Sequence, residues 1–486
     1  MAYKHGVYVS EQDTSLTTPV TGTSGLQVII GTAPVNLADN PSAATNIPII
    51  AYSFAEAKAA VGYSNNFASY TICQSIDASF RLFATAPIVM INVLDPAKHK
   101  KSIESTTVQL NAKQGVLAVD GVLLNSLVVK DGTTEAKTYA AGTDYLATFD
   151  DDAHVVITML ASGTGAAATS LKVTANAIDP SMVTSADVIG GVNAAGLETG
   201  FEVIRQVYPK LGDVPALLLA PGWSKDPTVS AALQGKTREI NGCYSADCLI
   251  DIDCSSSGAV KIGDLKTTKE SQGLTEPRCY GLWLKCKAGD KTYYASAAVG
   301  ALISSADAEN GDVPSLNIGN KAMPITATVL EDGTEVLLDQ EQANAVNALG
   351  IATMLNMNGF RLWGNNSVAY PATTDPKDRW FFVRRFFDWV SNSLIQTYFS
   401  KVDSPANYRL IENIVDSANI VGNGLVNRGA CAGYRIAFNE DENTVASILD
   451  GKITFHIYMA PYTPAEDIEF VLEFDPTALE TALTGG

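Results

Sequence analysis

The residues that could do chemistry are scattered, and the sequence offers parts of several constellations. The turn P-G-W-S at 221–224 follows the apolar run LLLA and has the outline of a strand-to-helix elbow that exposes a nucleophilic serine. Such a serine needs a base beside it. Asp226 stands where the second glycine of G-x-S-x-G belongs, and the histidines His5, His99, His154 and His456 lie in four different segments. No HExxH or paired-histidine spacing suggests a metal. Asp150, Asp151 and Asp152 bring three carboxylates together, but the further oxygen ligands of a calcium loop are missing, so the triplet reads as a solvated turn. The glycine-rich stretches VIGGVNAAGLETG (188–200) and NGLVNRG (423–429) lack G-K-[ST] and read as loops rather than phosphate cradles. Of seven cysteines, Cys73 and Cys431 stand alone, while Cys243, Cys248, Cys254, Cys279 and Cys286 share the middle third without paired C-x-x-C spacing. They read as small buried side chains kept reduced. No catalytic, metal or cofactor site is expected.

The surrounding elements suggest several units. After a polar leader with one alternating run, Gly6 to Glu11, an apolar strand LQVIIG, helical patterns from Ser53 and from Ala68 to Phe83, and the strand PIVMINVL open an α/β unit. From about 101 to 184 helical periodicity gives way to alternating runs separated by Asp-Gly turns, the signature of antiparallel hairpins, and a β-sandwich insert is expected. The α/β rhythm returns after 185. A helical pattern over Phe201–Val207 precedes the strand VPALLLAPG, a helix starts after Asp226-Pro227, and the strands CLIDIDC and CYGLWLKC lead to an Ala-rich helix.

The last third begins with Asp339 and Gln342, spaced as a capping box. The predicted helix carries Val346, Leu349, Gly350, Thr353 and Met357 on one face and stops at Gly359. A strand RLWG and the aromatic segment DRWFFVRRFFDWVSNSLIQTYFSK follow. A further helix is expected from Ser404-Pro405 to about Gly422, and then two strand-like runs, KITFHIYMAP and EDIEFVLEFDP. The expected division is an N-terminal arm (1–20), a discontinuous α/β domain (21–100 plus 185–338) interrupted by the insert (101–184), a C-terminal α+β domain (339–465) and a C-terminal arm (466–486).

Charge narrows the function. The chain has 33 basic against 52 acidic residues, net −19, which argues against non-specific nucleic-acid binding. Only 17% of residues are charged while 46% are hydrophobic, a balance that suggests extensive burial between subunits. No apolar run approaches the ~18 residues needed to span a bilayer, and no secretory leader is visible, so a soluble protein made in the cytoplasm is expected. Lys377, Arg379, Arg384, Arg385 and Lys401 outweigh Asp378 and Asp388, whereas Ala437 to Gly486 sets Lys452 against ten acids. The basic stretch reads as a solvated helix edge or as an electrostatic contact for a partner.

Several motifs, taken in order, resemble a known family. GVYVSE, LLLAPGWS, RLWG, RRFFDWVSNSLIQ and the closing NRGACAGYRIAFNEDENTVASILDGKITFHIYMAPYTPAEDIEFVLEF together are similar to contractile phage tail sheath proteins of tailed phages and of phage-tail-like bacteriocins of Gram-positive hosts. The resemblance spans nearly the whole chain. It implies a subtilisin-like α/β sheath domain without a working triad, the β-sandwich insert, a C-terminal α+β domain nearest the tail tube, and terminal arms that add strands to neighbouring subunits. It implies hexameric rings stacked around the tube and contraction that drives the tube through a cell envelope. The implied partners are the chain itself, the tail tube protein, and baseplate and tail terminator proteins, with no direct nucleic acid and no membrane insertion. The expected location is a virion tail or bacteriocin particle assembled in the host cytoplasm. The expected arm strands carry Val7, Tyr8 and Val9 at one end and Ile468, Phe470, Leu472 and Phe474 at the other; the expected tube contacts are Lys377, Arg379, Arg384 and Arg385. The competing readings are a hydrolase on the α/β sheet and another structural or shell subunit of a contractile machine.

Overall fold

The computed structural model describes residues 23–133 and 137–484. Val7, Tyr8 and Val9 lie outside the described residues. The chain first lays down β1 (Gln27–Gly31), β2 (Ile49–Ala51) and β3 (Ile88–Asn92). β1 and β3 are buried at every position, which is why they run apolar almost without alternation: a strand covered on both faces has no solvent side. Between them lies the helix expected from Ser53, Phe54–Val61, which Ser53 caps by accepting from the Glu56 N–H.

Seven strands then form a unit apart from the main sheet. β4 (Lys100–Gln109), β5 (Gln114–Leu117), β6 (Val128–Asp131), β7 (Thr138–Tyr139), β8 (Tyr145–Phe149), β9 (Val155–Met159) and β10 (Ser170–Ile178) form two antiparallel sheets, ordered β4-β10-β6-β7 and β5-β9-β8. Alternate residues of β9 and β10 point inward, and side chains of both sheets, among them Val129, Ile157, Leu171 and Val173, share one core. Lys100 and Ile178 are register partners, so the chain enters and leaves this unit side by side. The stretch 188–200, read as a loop, forms a hairpin instead, β11 (Gly190–Val192) with β12 (Glu198–Gly200). The helical pattern over Phe201–Val207 is realised as a 3-10 turn, Phe201–Gln206, before the helix Val207–Leu211.

β13 (Leu217–Leu219), β14 (Asp247–Asp251) and β15 (Cys279–Leu282) return to the main sheet, with Asp226 and Pro227 opening the helix Pro227–Gly235. A small antiparallel sheet, β16 (Lys285–Ala288), β17 (Lys291–Tyr293) and β18 (Ala327–Val329), stands beside it. β19 (Ile351–Asn356) and β20 (Phe360–Trp363) complete the order β2-β3-β1-β13-β14-β15-β19-β20. The six inner strands are parallel and the two edges antiparallel.

Two expectations fail here. The helix opened by the Asp339–Gln342 capping box ends at Asn347, because Gly350, at φ 70°, turns the chain into β19. Leu349, Thr353 and Met357 therefore do not share a helix face, and the main sheet runs across the expected boundary at 339. The second concerns the thiols. Cys248 and Cys279 are register partners on β14 and β15 and join as a disulfide, while Cys73, Cys254, Cys286 and Cys431 are buried free thiols and Cys243 is exposed.

The aromatic segment is broken at Trp380, whose extended backbone separates the turn Pro376–Arg379 from the long helix Phe381–Tyr398. The next helix, Tyr408–Asn427, starts later than expected, capped by Asn407. It also runs straight through Gly422 and most of the stretch read as a second glycine loop. Gly422 is a packing glycine, since a Cβ there would stand 1.8 Å from Cδ1 of Tyr434. β21 (Cys431–Ala437) and β22 (His456–Pro461) form an antiparallel pair against this helix. The run Ile468–Phe474, expected as a strand, forms none within the subunit, and a helix, Pro476–Thr484, follows it.

Candidate functional site

The crevice at the carboxyl ends of β1 and β13 is the first place to look for chemistry. From β1 the sheet grows toward β3 on one side and toward β13 on the other, and ligands of open α/β sheets bind where the order reverses. Ser224 lies just beyond β13, yet it is completely buried. Its Oγ donates to Asp251 Oδ2 at 3.2 Å and accepts from the Asp251 N–H at 3.0 Å. The same carboxylate accepts from Ser296 through Oγ (2.7 Å) and N–H (2.9 Å). Burial pushes the Asp251 carboxyl up, against hydrogen bonds from Ser296, Gly222 and Ser224. This serine ties two strand ends to a helix, and its burial closes it to solvent.

The described histidines are engaged elsewhere. His99 accepts from the Asp95 N–H at 2.9 Å through Nδ1, His154 lies 3.5 Å from Asp120, and His456 pairs with Glu442. Among the described residues no group of three metal-ligating side chains occurs.

The expected tube contacts separate into different environments. Arg385 is 2% exposed; its Nη2 donates to Asp307 Oδ2 at 2.5 Å and to the Ser24 carbonyl at 3.1 Å, while Nε lies 3.9 Å from Asp247. Its place in the contact set is therefore corrected, because the guanidinium is sealed inside the subunit. Burial, with Asp388 adding to it, pushes the Asp247 carboxyl well up, against the pull of Arg385, Arg278 and Arg384. Arg384 is also mostly enclosed, paired with Asp388 at 3.0 Å and Asp378 at 3.3 Å. Arg379 stacks 3.9 Å from the Trp380 ring centroid and reaches Glu466 at 3.5 Å. Lys377 alone of the four projects substantially into solvent, 4.0 Å from Asp378.

Among the described residues, the most exposed large apolar side chains lie toward the C-terminal end. Ile468, Phe470, Leu472 and Phe474 are 69%, 84%, 95% and 79% exposed, and Tyr458, Tyr462, Val445 and Leu449 are exposed nearby. β22 has no second partner strand among the described residues, while the outer side of β21 is met by the helix through the Ile436 N–H to Asn419 Oδ1, 3.1 Å. An unpaired strand edge and an unpaired alternating segment thus lie in one chain. Sequence reasoning found the segment. It missed Asn365, Asp307 and Ser24, whose partners lie 101, 78 and 283 residues away and leave no local signal.

The polar groups at the strand ends are thus buried in pairs, and exposed apolar side chains gather on the segment after β22. No family model matches the sequence. Over 512 aligned residues, covering 100% of this chain and 99% of the relative, it is 28% identical to the tail sheath protein of Burkholderia phage BcepMu. It is 26% identical to the tail sheath protein of Escherichia phage P2 over 59% of this chain and 69% of the relative. In fold it matches the contracted sheath of an extracellular contractile injection system, PVC, with a TM-score of 0.59 at 14% identity, over 98% of this chain and 99% of that one. The sheath tail protein of Desulfitobacterium hafniense matches with a TM-score of 0.53 at 11% identity, over 94% and 100%. Along nearly its whole length the chain is thus similar in sequence to a phage tail sheath protein and in fold to the sheath subunits of contractile injection systems.

Proposed function

We propose that this sheath subunit polymerises as stacked hexameric rings around a tail tube and contracts to drive the tube through the target cell envelope. The observation that carries the reading is the segment Ile468–Phe474: alternating, apolar and solvent-exposed in the subunit, beside a two-stranded sheet with an open edge on β22. Strand addition would satisfy both, since main-chain hydrogen bonds give affinity and alternate side chains give register. The N-terminal run with Val7, Tyr8 and Val9 is proposed as the second arm.

Contraction needs no nucleotide in this reading. Subunits joined by arms can slide and rotate between two packings, and the free energy released is the difference between them. The contracted sheath of the anti-feeding prophage, 14% identical with a TM-score of 0.57, shares this fold. The insert bounded by Lys100 and Ile178 is proposed as a separate unit because it has its own core. The remaining partners are the tube protein, with Lys377 as the contact its exposure leaves open, and baseplate and tail terminator proteins. The particle is a phage tail or a bacteriocin, assembled in the host cytoplasm; a Gram-positive host is supported by the likeness of the closing motifs.

Removing residues 462–486 tests the arm directly. The truncated chain is expected to keep the wild-type thermal midpoint and to form no long tubes by electron microscopy. Tubes of normal length would reject strand exchange at this end.

A further inference from the structure

We infer that Arg379 and Asn365 form a clamp for Glu466 that fixes where and in what direction the C-terminal arm leaves its subunit. The inference rests on the arm reading above and deepens it.

The chain leaves β22 at Pro461, and from Tyr462 to Phe474 it has no strand partner in the subunit. Glu466 ties it to the body. Asn365 Nδ2 donates to Glu466 Oε1 at 2.7 Å, and Arg379 Nη2 stands 3.5 Å from Glu466 Oε2. The clamp stands on rigid ground. Asn366 and Trp380 form a bridge, the Phe381 N–H donates to the Asn365 carbonyl at 3.0 Å, and the Ser367 N–H donates to the Arg379 carbonyl at 2.7 Å. Arg379 itself is oriented before it meets Glu466: its Nε donates to Asn366 Oδ1 at 2.9 Å, and its guanidinium lies 3.9 Å from the Trp380 ring centroid and 4.6 Å from that of Tyr370. A planar cation held by a side-chain amide and two rings is a preorganised receptor for a carboxylate.

The consequence is geometric. Tying Glu466 shortens the free chain, strand included, from roughly 13 residues (462–474) to roughly 8 (467–474), which raises its effective concentration at a neighbouring edge about two-fold before any gain from direction. The clamp thus acts before assembly, by restricting the arm, and is a positioning device. It also gives Arg379 a role other than the tube contact expected from its charge.

The test uses the full-length chain with Glu466→Arg, Arg379→Glu and the double exchange, measuring the protein concentration at which purified subunits form tubes without tube protein. Each single variant is expected to raise that threshold about two- to five-fold through the longer tether and to speed proteolysis between Ile468 and Phe474, and Glu466→Arg is expected to leave the thermal midpoint unchanged. The double exchange is expected to recover most of the threshold. Glu466→Arg lies on the exposed arm, so the readout survives if Arg379→Glu fails to fold. An unchanged threshold and unchanged proteolysis in Glu466→Arg would overturn the clamp. So would an Arg379→Glu variant that self-assembles normally and fails only with tube protein. The truncation lacking 462–486 separates the two claims: loss of tubes there with a normal Glu466→Arg threshold rejects the clamp alone, whereas normal tubes from the truncation reject the arm.

Discussion

The crevice around Ser224 and the extension around Phe470 put their polar and apolar groups to opposite uses. In the crevice the hydroxyl, the Asp251 carboxylate and the Ser296 donors satisfy one another inside a sealed sheet. On the extension the apolar side chains face water and the backbone has no ladder. A buried polar group without a partner costs roughly 1–3 kcal/mol, and an exposed apolar segment gains nothing until something covers it. The first region is complete within the subunit; the second, in the proposed reading, is completed only in a lattice. The contrast is why the proposed function rests on the exposed segment rather than on the crevice.

The sharpest way to break the comparison is to disturb the finished side. Arg385→Met leaves the Asp307 and Asp247 carboxylates without their buried cation and is expected to destabilise by about 3–5 kcal/mol, read as a large fall in the denaturant midpoint. A change below 1 kcal/mol would mean that the pair is not sealed as the geometry shows. Next in size, Ser224→Ala is expected to cost about 1–2 kcal/mol while changing no hydrolytic activity, checked by urea unfolding and an esterase assay of both proteins. Activity in the parent that vanishes in the variant would restore the nucleophile reading. On the unfinished side, Glu466→Gln is expected to move stability by less than about 0.5 kcal/mol, because it touches a surface tie; a larger loss by thermal unfolding would show that the extension is part of the subunit's own fold.

Much of the finished region was readable from residue patterns. QVIIG and IVMIN had to be two-sided strands, and Ser53 and Asp226-Pro227 marked helix starts, because capping is a local interaction. The errors came where one pattern served two structures. Val346, Leu349, Thr353 and Met357 keep a helical spacing, yet Gly350 ends the helix and β19 takes its residues into the sheet. Gly422 looked like a terminator, and only the ring of Tyr434 shows it as a packing site. The Cys248–Cys279 pair depends on which strands are neighbours, which no local spacing reveals. For the candidate site, the alternation of Ile468, Phe470, Leu472 and Phe474 reads as a strand, and the structure leaves all four exposed and without a strand partner. Arg385 was not legible as a core residue, because its partners Ser24, Asp247 and Asp307 are distant in sequence.

The central claim is that residues 468–474 complete a sheet in another subunit. A helical reconstruction by electron microscopy of tubes formed by the full-length chain tests it most directly. The expected map shows Ile468–Phe474 as a strand hydrogen-bonded along β22 of a neighbouring subunit, with Glu466 still seated on Arg379 and Asn365 of its own. A map in which that segment folds back onto its own subunit, with no strand crossing between subunits at this end, would contradict the claim.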